Sequence, residues 1–209
     1  ANSDGSQPHR LTQTSGDNTH PVWSPDGQKI AFSSGRTGNF EVFVMDAAGH
    51  NPVQLTTSRG FDEWPVWSAD GQQIAFVSDR DGNVEIYTIN ADGSNQQRLT
   101  HHPADDWPAS WSPDGSKLVF SSNRDSNWDL YIVEVDSGKI LRLTNDAANE
   151  REPVWSPDGQ LIAFAYDGNG NWDIFTLPVP PAYPTEIPPE EWSQVTNTAV
   201  DERYPVWLP

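Results

Sequence analysis

The feature that most constrains this chain is a motif that returns at a fixed interval. Pro21-Val22-Trp23-Ser24-Pro25-Asp26-Gly27 is followed by Pro65-Val66-Trp67-Ser68-Ala69-Asp70-Gly71, by Trp111-Ser112-Pro113-Asp114-Gly115 and by Pro153-Val154-Trp155-Ser156-Pro157-Asp158-Gly159, and Pro205-Val206-Trp207 begins the motif once more. Trp23, Trp67, Trp111 and Trp155 are spaced by 44 residues, and the interval from Trp155 to Trp207 is 52. A period of this size belongs to repeat architectures, in which each unit buries its faces only against its neighbours.

Each copy continues in the same way. A short apolar run such as Lys29-Ile30-Ala31-Phe32-Ser33 leads to a polar turn at Gly38-Asn39, Gly82-Asn83, Ser126-Asn127 or Gly170-Asn171. An alternating aromatic and β-branched run follows, as in Phe40-Glu41-Val42-Phe43-Val44, and a last short run closes on Leu55-Thr56, Leu99-Thr100, Leu143-Thr144 or Val195-Thr196. This predicts four short strands per repeat, joined by hairpin turns. In Ser24-Pro25-Asp26-Gly27 the proline pre-sets φ, the aspartate can bond its own backbone and the glycine accepts a positive φ. No window carries a sustained helical apolar period. The expected fold class is therefore all-β: a β-propeller of four-stranded antiparallel blades, spanning residues 1–209 as a single region.

With the Trp-Ser-Pro-Asp-Gly turn, the Arg-x-Gly-Asn turn and the closing Leu-Thr all in phase, the chain resembles the TolB-like β-propeller family with WD40-like (PD40) repeats. The resemblance covers essentially the whole chain. It implies a fold similar to that of the periplasmic translocation protein TolB and of the propellers of prolyl oligopeptidases, tricorn protease and oligogalacturonate lyase. Those proteins perform different tasks, and fold alone does not choose among them.

Composition narrows the choice. The formal net charge of −18, from 12 Lys+Arg against 30 Asp+Glu, argues against nucleic acid or an anionic membrane as partner. There is no cysteine, hence no disulfide framework and no thiolate metal site. No apolar run is long enough to cross a bilayer. The expected location, from the family resemblance, is periplasmic or secreted.

The two ends of the chain carry partial repeats. Residues 2–12 match residues 90–100, so the first element is expected to be an outermost, fourth strand, whereas Pro205-Val206-Trp207 matches an innermost, first strand. The sequence thus predicts four complete blades plus terminal strands of a further blade, whose second and third strands, about 20 residues, are wanting. A fragment of a longer propeller is the reading favoured, with an arc completed by a second copy as its rival. Self-association through the incomplete terminal blades is expected on the same ground. The one irregularity is residues 177–191, about eight residues longer than their counterparts and rich in proline; a stiff loop protruding at the periphery of the fourth blade is expected.

Polar connectors precede each innermost strand and lead to the mouth of the central channel. Aligned on the following tryptophan, the first column reads Asn18, Asp62, Asp106, Glu150 and Glu202. The second reads Thr19, Glu63, Trp107, Arg151 and Arg203, and the third His20, Trp64, Pro108, Glu152 and Tyr204. The acidic column offers weak metal candidates in Asp62, Asp106, Glu150 and Glu202, with Ca²⁺ as the ion; the alternative is that each carboxylate accepts hydrogen bonds within its own unit. The variable columns supply the candidate partner-binding residues: His20, Trp64, Trp107, Arg151, Glu152, Arg203 and Tyr204, anchors of the kind that dominate interfaces.

Arg36, Arg80 and Arg124 recur before the second turn and Glu41, Glu85, Asp129 and Asp173 after it, and charge pairing between them is expected to pin the blades. The motif tryptophans, Trp23, Trp67, Trp111, Trp155 and Trp207, are expected between blades. Catalytic signatures are missing: there is no Gly-x-Ser-x-Gly, no Walker loop and no His-Glu-x-x-His, and His101-His102 with Asp105-Asp106 is the one histidine cluster. The function expected is thus a non-catalytic protein-interaction propeller of a bacterial envelope or secreted protein, without cofactor, whose partner carries a basic segment. The alternative is the propeller part of an enzyme, gating a prolyl-oligopeptidase-like hydrolase or acting as a metal-dependent polysaccharide lyase.

Overall fold

The structure is a computed structural model and describes residues 6–179 and 186–207. Among the described residues, sixteen strands form four sheets of four. Blade 1 holds β1 (Asn18–Trp23), β2 (Lys29–Ser34), β3 (Glu41–Asp46) and β4 (Val53–Gln54); blade 2 holds β5 (Asp62–Trp67), β6 (Gln73–Ser78), β7 (Glu85–Asn90) and β8 (Gln97–Arg98). Blade 3 holds β9 (Asp106–Trp111), β10 (Lys117–Ser122), β11 (Asp129–Glu134) and β12 (Ile140–Arg142), and blade 4 holds β13 (Glu150–Trp155), β14 (Leu161–Tyr166), β15 (Asp173–Pro178) and β16 (Ser193–Gln194). Every neighbouring pair is antiparallel and sequential, as the repeat predicts.

The hairpin chemistry is repeated from copy to copy. Ser24, Ser68, Ser112 and Ser156 each donate from Oγ to the aspartate two residues on, at 2.6 Å, and that carboxylate accepts a backbone N–H of the same turn. The closing threonine of each blade also has a specific task. Thr56 Oγ1 accepts the N–H of Val42 and donates to Glu41, and Thr100 does the same for Ile86 and Glu85, so the short outermost strand is fastened to the third by a side chain as well as by its ladder.

The core lies in layers between blades. Trp67 and Trp111 are buried and donate from Nε1 to the carbonyls of Val22 and Val66 in the preceding blade, at 3.3 and 3.1 Å; Trp207 repeats this bond to Val154 at 3.2 Å. Trp155 is buried as well, but Trp23 is 56% exposed, which corrects the expectation that all five lie between blades. Among the described residues no preceding blade lies against it.

The end segments take the positions expected of an outermost and an innermost strand but without ladders, because the strands that would pair with them are not beside them. Leu11 packs on Ile30, Phe32, Phe43 and Met45 of blade 1, as Leu55 packs on blade 2 and Leu99 on blade 3. The proline-rich insertion departs further from expectation. Its tip, 180–185, lies outside the described residues, but its second half folds back rather than protruding. Ile187 donates its N–H to the carbonyl of Leu143 in blade 3, and Trp192 packs edge-on against Phe164, Tyr166 and Phe175. Both side chains are buried, so apolar area removed from water outweighs any tendency of the prolines to extend.

Candidate functional site

The site is built by the connectors, and the backbone fixes them first. In four of the five first-column residues the N–H donates to the carbonyl of the residue after the Asn turn of the preceding blade: Asp62 to Phe40, Asp106 to Val84, Glu150 to Trp128 and Glu202 to Trp172, at 2.7–2.8 Å. The turn asparagines add a second tie that sequence reasoning missed. Asn83 Nδ2 donates to the carbonyls of His102 and Ala104 at 2.9 and 2.8 Å, and Asn39, Asn127 and Asn171 hold their connectors in the same way.

The acidic column then turns inward. Asp62 is fully buried and paired with Arg80 at 2.6 Å, and Asp106 with Arg124 at 2.9 Å, each arginine also lying over the aromatic pair of its own blade. The recurring arginines therefore pair with the connector acids and not with Glu85 or Asp129, which take Arg98 and Arg142 instead. Antiparallel register explains this: Asp62 lies opposite Ser78, two residues before Arg80. These pairs act within one blade and leave neither Asp62 nor Asp106 free to converge on the axis. Among the described residues no group of three or more His, Asp or Glu is placed to hold a metal ion. His102 Nδ1 accepts the N–H of Ala104, and Asp105 accepts that of Val84, so the histidine cluster is absorbed in turn geometry.

Blade 4 breaks the pattern. Gly168 stands where the arginine does in the other copies, and a Cβ there would meet the Tyr166 hydroxyl at 2.1 Å. The Tyr166 ring sits against Phe175 and its hydroxyl donates to Asp146, filling the space a guanidinium takes elsewhere. Glu150 is left buried without a cation, its Oε2 accepting only from Thr144 and its Oε1 unpartnered. Burial, with Asp129, Asp146 and Asp167 nearby, pushes its carboxyl up to about 8.

The third column supplies the unusual backbone. His20, Trp64, Glu152 and Tyr204 have left-handed φ of 49°, 58°, 57° and 58°, although each precedes a proline. Such a conformation costs about 1–3 kcal/mol per residue and clusters where function needs a side chain held in place. Each of the three in a strand sits in a β-bulge, as where Thr19 pairs with Ser33 but Val22 with Ala31, and the bulge re-aims the extra residue. The third copy has Pro108 there, which cannot take a positive φ.

The side chains so aimed meet. The His20 ring stacks on Trp64 with centroids 3.7 Å apart, and Trp64 meets Trp107 edge-on at 6.3 Å. Glu152 accepts from the guanidinium of Arg203 and from the backbone N–H of Tyr204. Six of the seven residues singled out from sequence, Trp64, Trp107, Arg151, Glu152, Arg203 and Tyr204, line one recess of about 160 Å³, and His20 backs it through Trp64. Ser121 and Trp128 also line the recess, and the sequence reading missed both, as it missed Trp172 against Arg203. Trp128 lies 3.9 Å beneath the guanidinium of Arg151, and Trp172 lies 4.5 Å beneath that of Arg203. Both occupy the position after the turn asparagine, where Trp accompanies an Arg in the next connector and Phe40 accompanies Glu63; that pairing was the available signal. The recess opens on a central channel of about 570 Å³, walled by the innermost segments from His20–Trp23 round to Tyr204–Val206.

Comparison with known proteins agrees with this architecture. The family described as TolB beta propeller domain (PD40) matches residues 2–110 and 104–199. Among solved structures, TolB from Acinetobacter baumannii is 25% identical with a TM-score of 0.78, covering 96% of this chain and 49% of that one. A TolB candidate from Agrobacterium tumefaciens is 26% identical with a TM-score of 0.78, covering 93% of this chain and 67% of the other. Oligogalacturonate lyase from Vibrio parahaemolyticus shares the fold at 16% identity and a TM-score of 0.67, covering 85% of this chain and 55% of that chain. The chain thus spans about half the length of the Acinetobacter protein. No curated protein matches it by sequence.

Proposed function

The chain belongs to the TolB β-propeller (PD40) family, and from that premise we propose that it is a non-catalytic protein-interaction propeller that receives its partner at the channel mouth. The observation that carries this reading is the aromatic recess on strained backbone, where stacked His20 and Trp64, Trp107 and Tyr204 stand at the end of an apolar channel. Residues held against their conformational preference are over-determined by their surroundings, and buried aromatic anchors carry most of the energy of a typical interface. The TolB likeness supports a bacterial envelope or secreted location, and no helix among the described residues is long and apolar enough to cross a membrane.

The net charge of −18 favours fast encounter with a partner bearing a basic segment, an advantage that salt screens. Replacing Trp64, Trp107 or Tyr204 singly by alanine is expected to weaken partner binding by at least about 2 kcal/mol for the strongest anchor. Shortening the insertion within residues 180–185, which spares the buried Ile187, is expected to leave it unchanged. Calorimetry on the four variants decides: loss in the loop variant alone moves the site to the periphery.

The exposed apolar edges also support contact between copies. Trp23 is 56% and Val206 81% exposed at the two flanks of the channel. Sedimentation at increasing concentration is expected to show dimers, weakened by Trp23→Ser; a strict monomer throughout would refute this.

A further inference from the structure

The recess carries more chemical information than its aromatic walls. Arg151 lies on the face of Trp128 at 3.9 Å, yet no carboxylate comes within 4.0 Å of it among the described residues, whereas its neighbour Arg203 is paired with Glu152. A guanidinium is always charged, so Arg151, on which Glu152 and Asp167 act only from beyond ion-pair distance, keeps its planar fork free to take an anion. At the same recess Ser121 is 2% exposed and its Oγ has no hydrogen-bond partner. A buried hydroxyl without a partner is costly, and one that lines a cavity beside an unpaired guanidinium is satisfied by the same ligand.

The acids of the connector ring do not cancel this cation. Asp62 and Asp106 are consumed by Arg80 and Arg124, Glu150 is buried, and the two acids that act on Arg151 have partners of their own, Glu152 in Arg203 and Asp167 in Asn149. The overall negative charge acts at long range; the contact inside the recess is set by Arg151 and Ser121. A volume of about 160 Å³ admits one side chain, and the adjoining apolar channel admits the chain that bears it.

We propose that this recess is a carboxylate subsite, filled by an acidic side chain of the protein segment that docks at the channel mouth, with Arg151 as its cation, Ser121 Oγ as a donor at its wall and Trp64 and Trp107 packing on its methylenes. The proposal rests on the mouth being the docking site. It names the anchor: one Asp or Glu, whatever basic residues steer the segment in.

The test uses a small probe and a partner arm. The indole N–H resonances of Trp64, Trp107 and Trp128 are followed by NMR during titration with 3-phenylpropanoate and with 3-phenylpropanamide, which has the same shape and no charge. Saturable shifts with the carboxylate, about tenfold tighter than with the amide, are expected, because charge-assisted bonds are worth roughly twice neutral ones. Arg151→Gln is expected to erase the difference and Arg151→Lys to retain part of it, with Ser121→Ala weakening the carboxylate alone. Equal binding of the two probes, absence of saturable shifts, or a difference that survives Arg151→Gln overturns the assignment. In the partner arm, loss of binding in Trp107→Ala with full binding in Arg151→Gln leaves the mouth as the docking site and removes the carboxylate anchor. The reverse case, carboxylate probe bound but partner binding indifferent to both variants, keeps the subsite and removes the docking segment as its source.

Discussion

A fall in stability between about pH 5 and pH 8 is expected of this protein, and Glu150→Gln is expected to abolish most of it. The folded carboxyl, pushed up to about 8 from an ordinary value of 4.5, first by burial and then by the neighbouring acids, holds its proton where the unfolded chain has already released one. The folded state therefore binds more protons throughout that window, and stability falls as pH rises through it, levelling off above the folded value. At about 1.4 kcal/mol for each pH unit that separates the folded from the unfolded carboxyl, relaxed by local rearrangement and water entry, the difference between variant and parent is expected to reach about 2–4 kcal/mol at pH 8 and to vanish near pH 4. Asp129, raised to about 6 mainly by burial, titrates in the same range in both proteins and cancels to first order in the comparison. Urea unfolding at a series of pH values measures the effect, and parallel profiles for the two proteins would refute it. The physical cause is a substitution elsewhere: Tyr166 and Gly168 replaced the room for an arginine, so the acid of blade 4 kept its burial and lost its cation.

The second large effect separates two residues with the same motif and different surroundings. Trp111→Ala is expected to cost about 3–5 kcal/mol, since it removes a buried indole from between blades 2 and 3 and leaves the carbonyl of Val66 without its donor. Trp23→Ala, in the same Trp-Ser-Pro-Asp-Gly motif but 56% exposed, is expected to stay within about 1 kcal/mol. Thermal or denaturant unfolding of the two variants checks this, and similar losses would mean that the tryptophan serves its own blade rather than the layer between blades.

Much of the scaffold was legible because its causes are local. The Ser-Pro-Asp-Gly turn, the two-residue alternation and the closing Leu-Thr each act over a few residues, so their phase located β1 to β16 and brought the connectors to the channel. The columns that vary from copy to copy hold six residues that line one recess. What could not be read depends on contacts across sheets and blades. Arg80 finds Asp62 through the register of β5 on β6, at a separation of 18 residues, and the nearer Glu85 is taken by Arg98. Trp128 reaches Arg151 only because blades 3 and 4 pack side by side. The left-handed φ of His20, Trp64, Glu152 and Tyr204 runs against what a residue before proline prefers, so no propensity argument finds it. Ile187 and Trp192 dock because apolar side chains near the end of the insertion meet Leu143 and Phe164, which composition dominated by proline conceals.

The central claim, that the partner is received at the channel mouth, is tested most directly by hydrogen exchange of the chain with and without partner. The account predicts slowed exchange, on partner addition, at the connectors 62–64, 105–107, 150–152 and 202–204, with no change across the insertion at 186–192 or in the outermost strands β4, β8 and β12. Protection confined to the insertion or to those outermost strands, with the connectors exchanging as before, would contradict it.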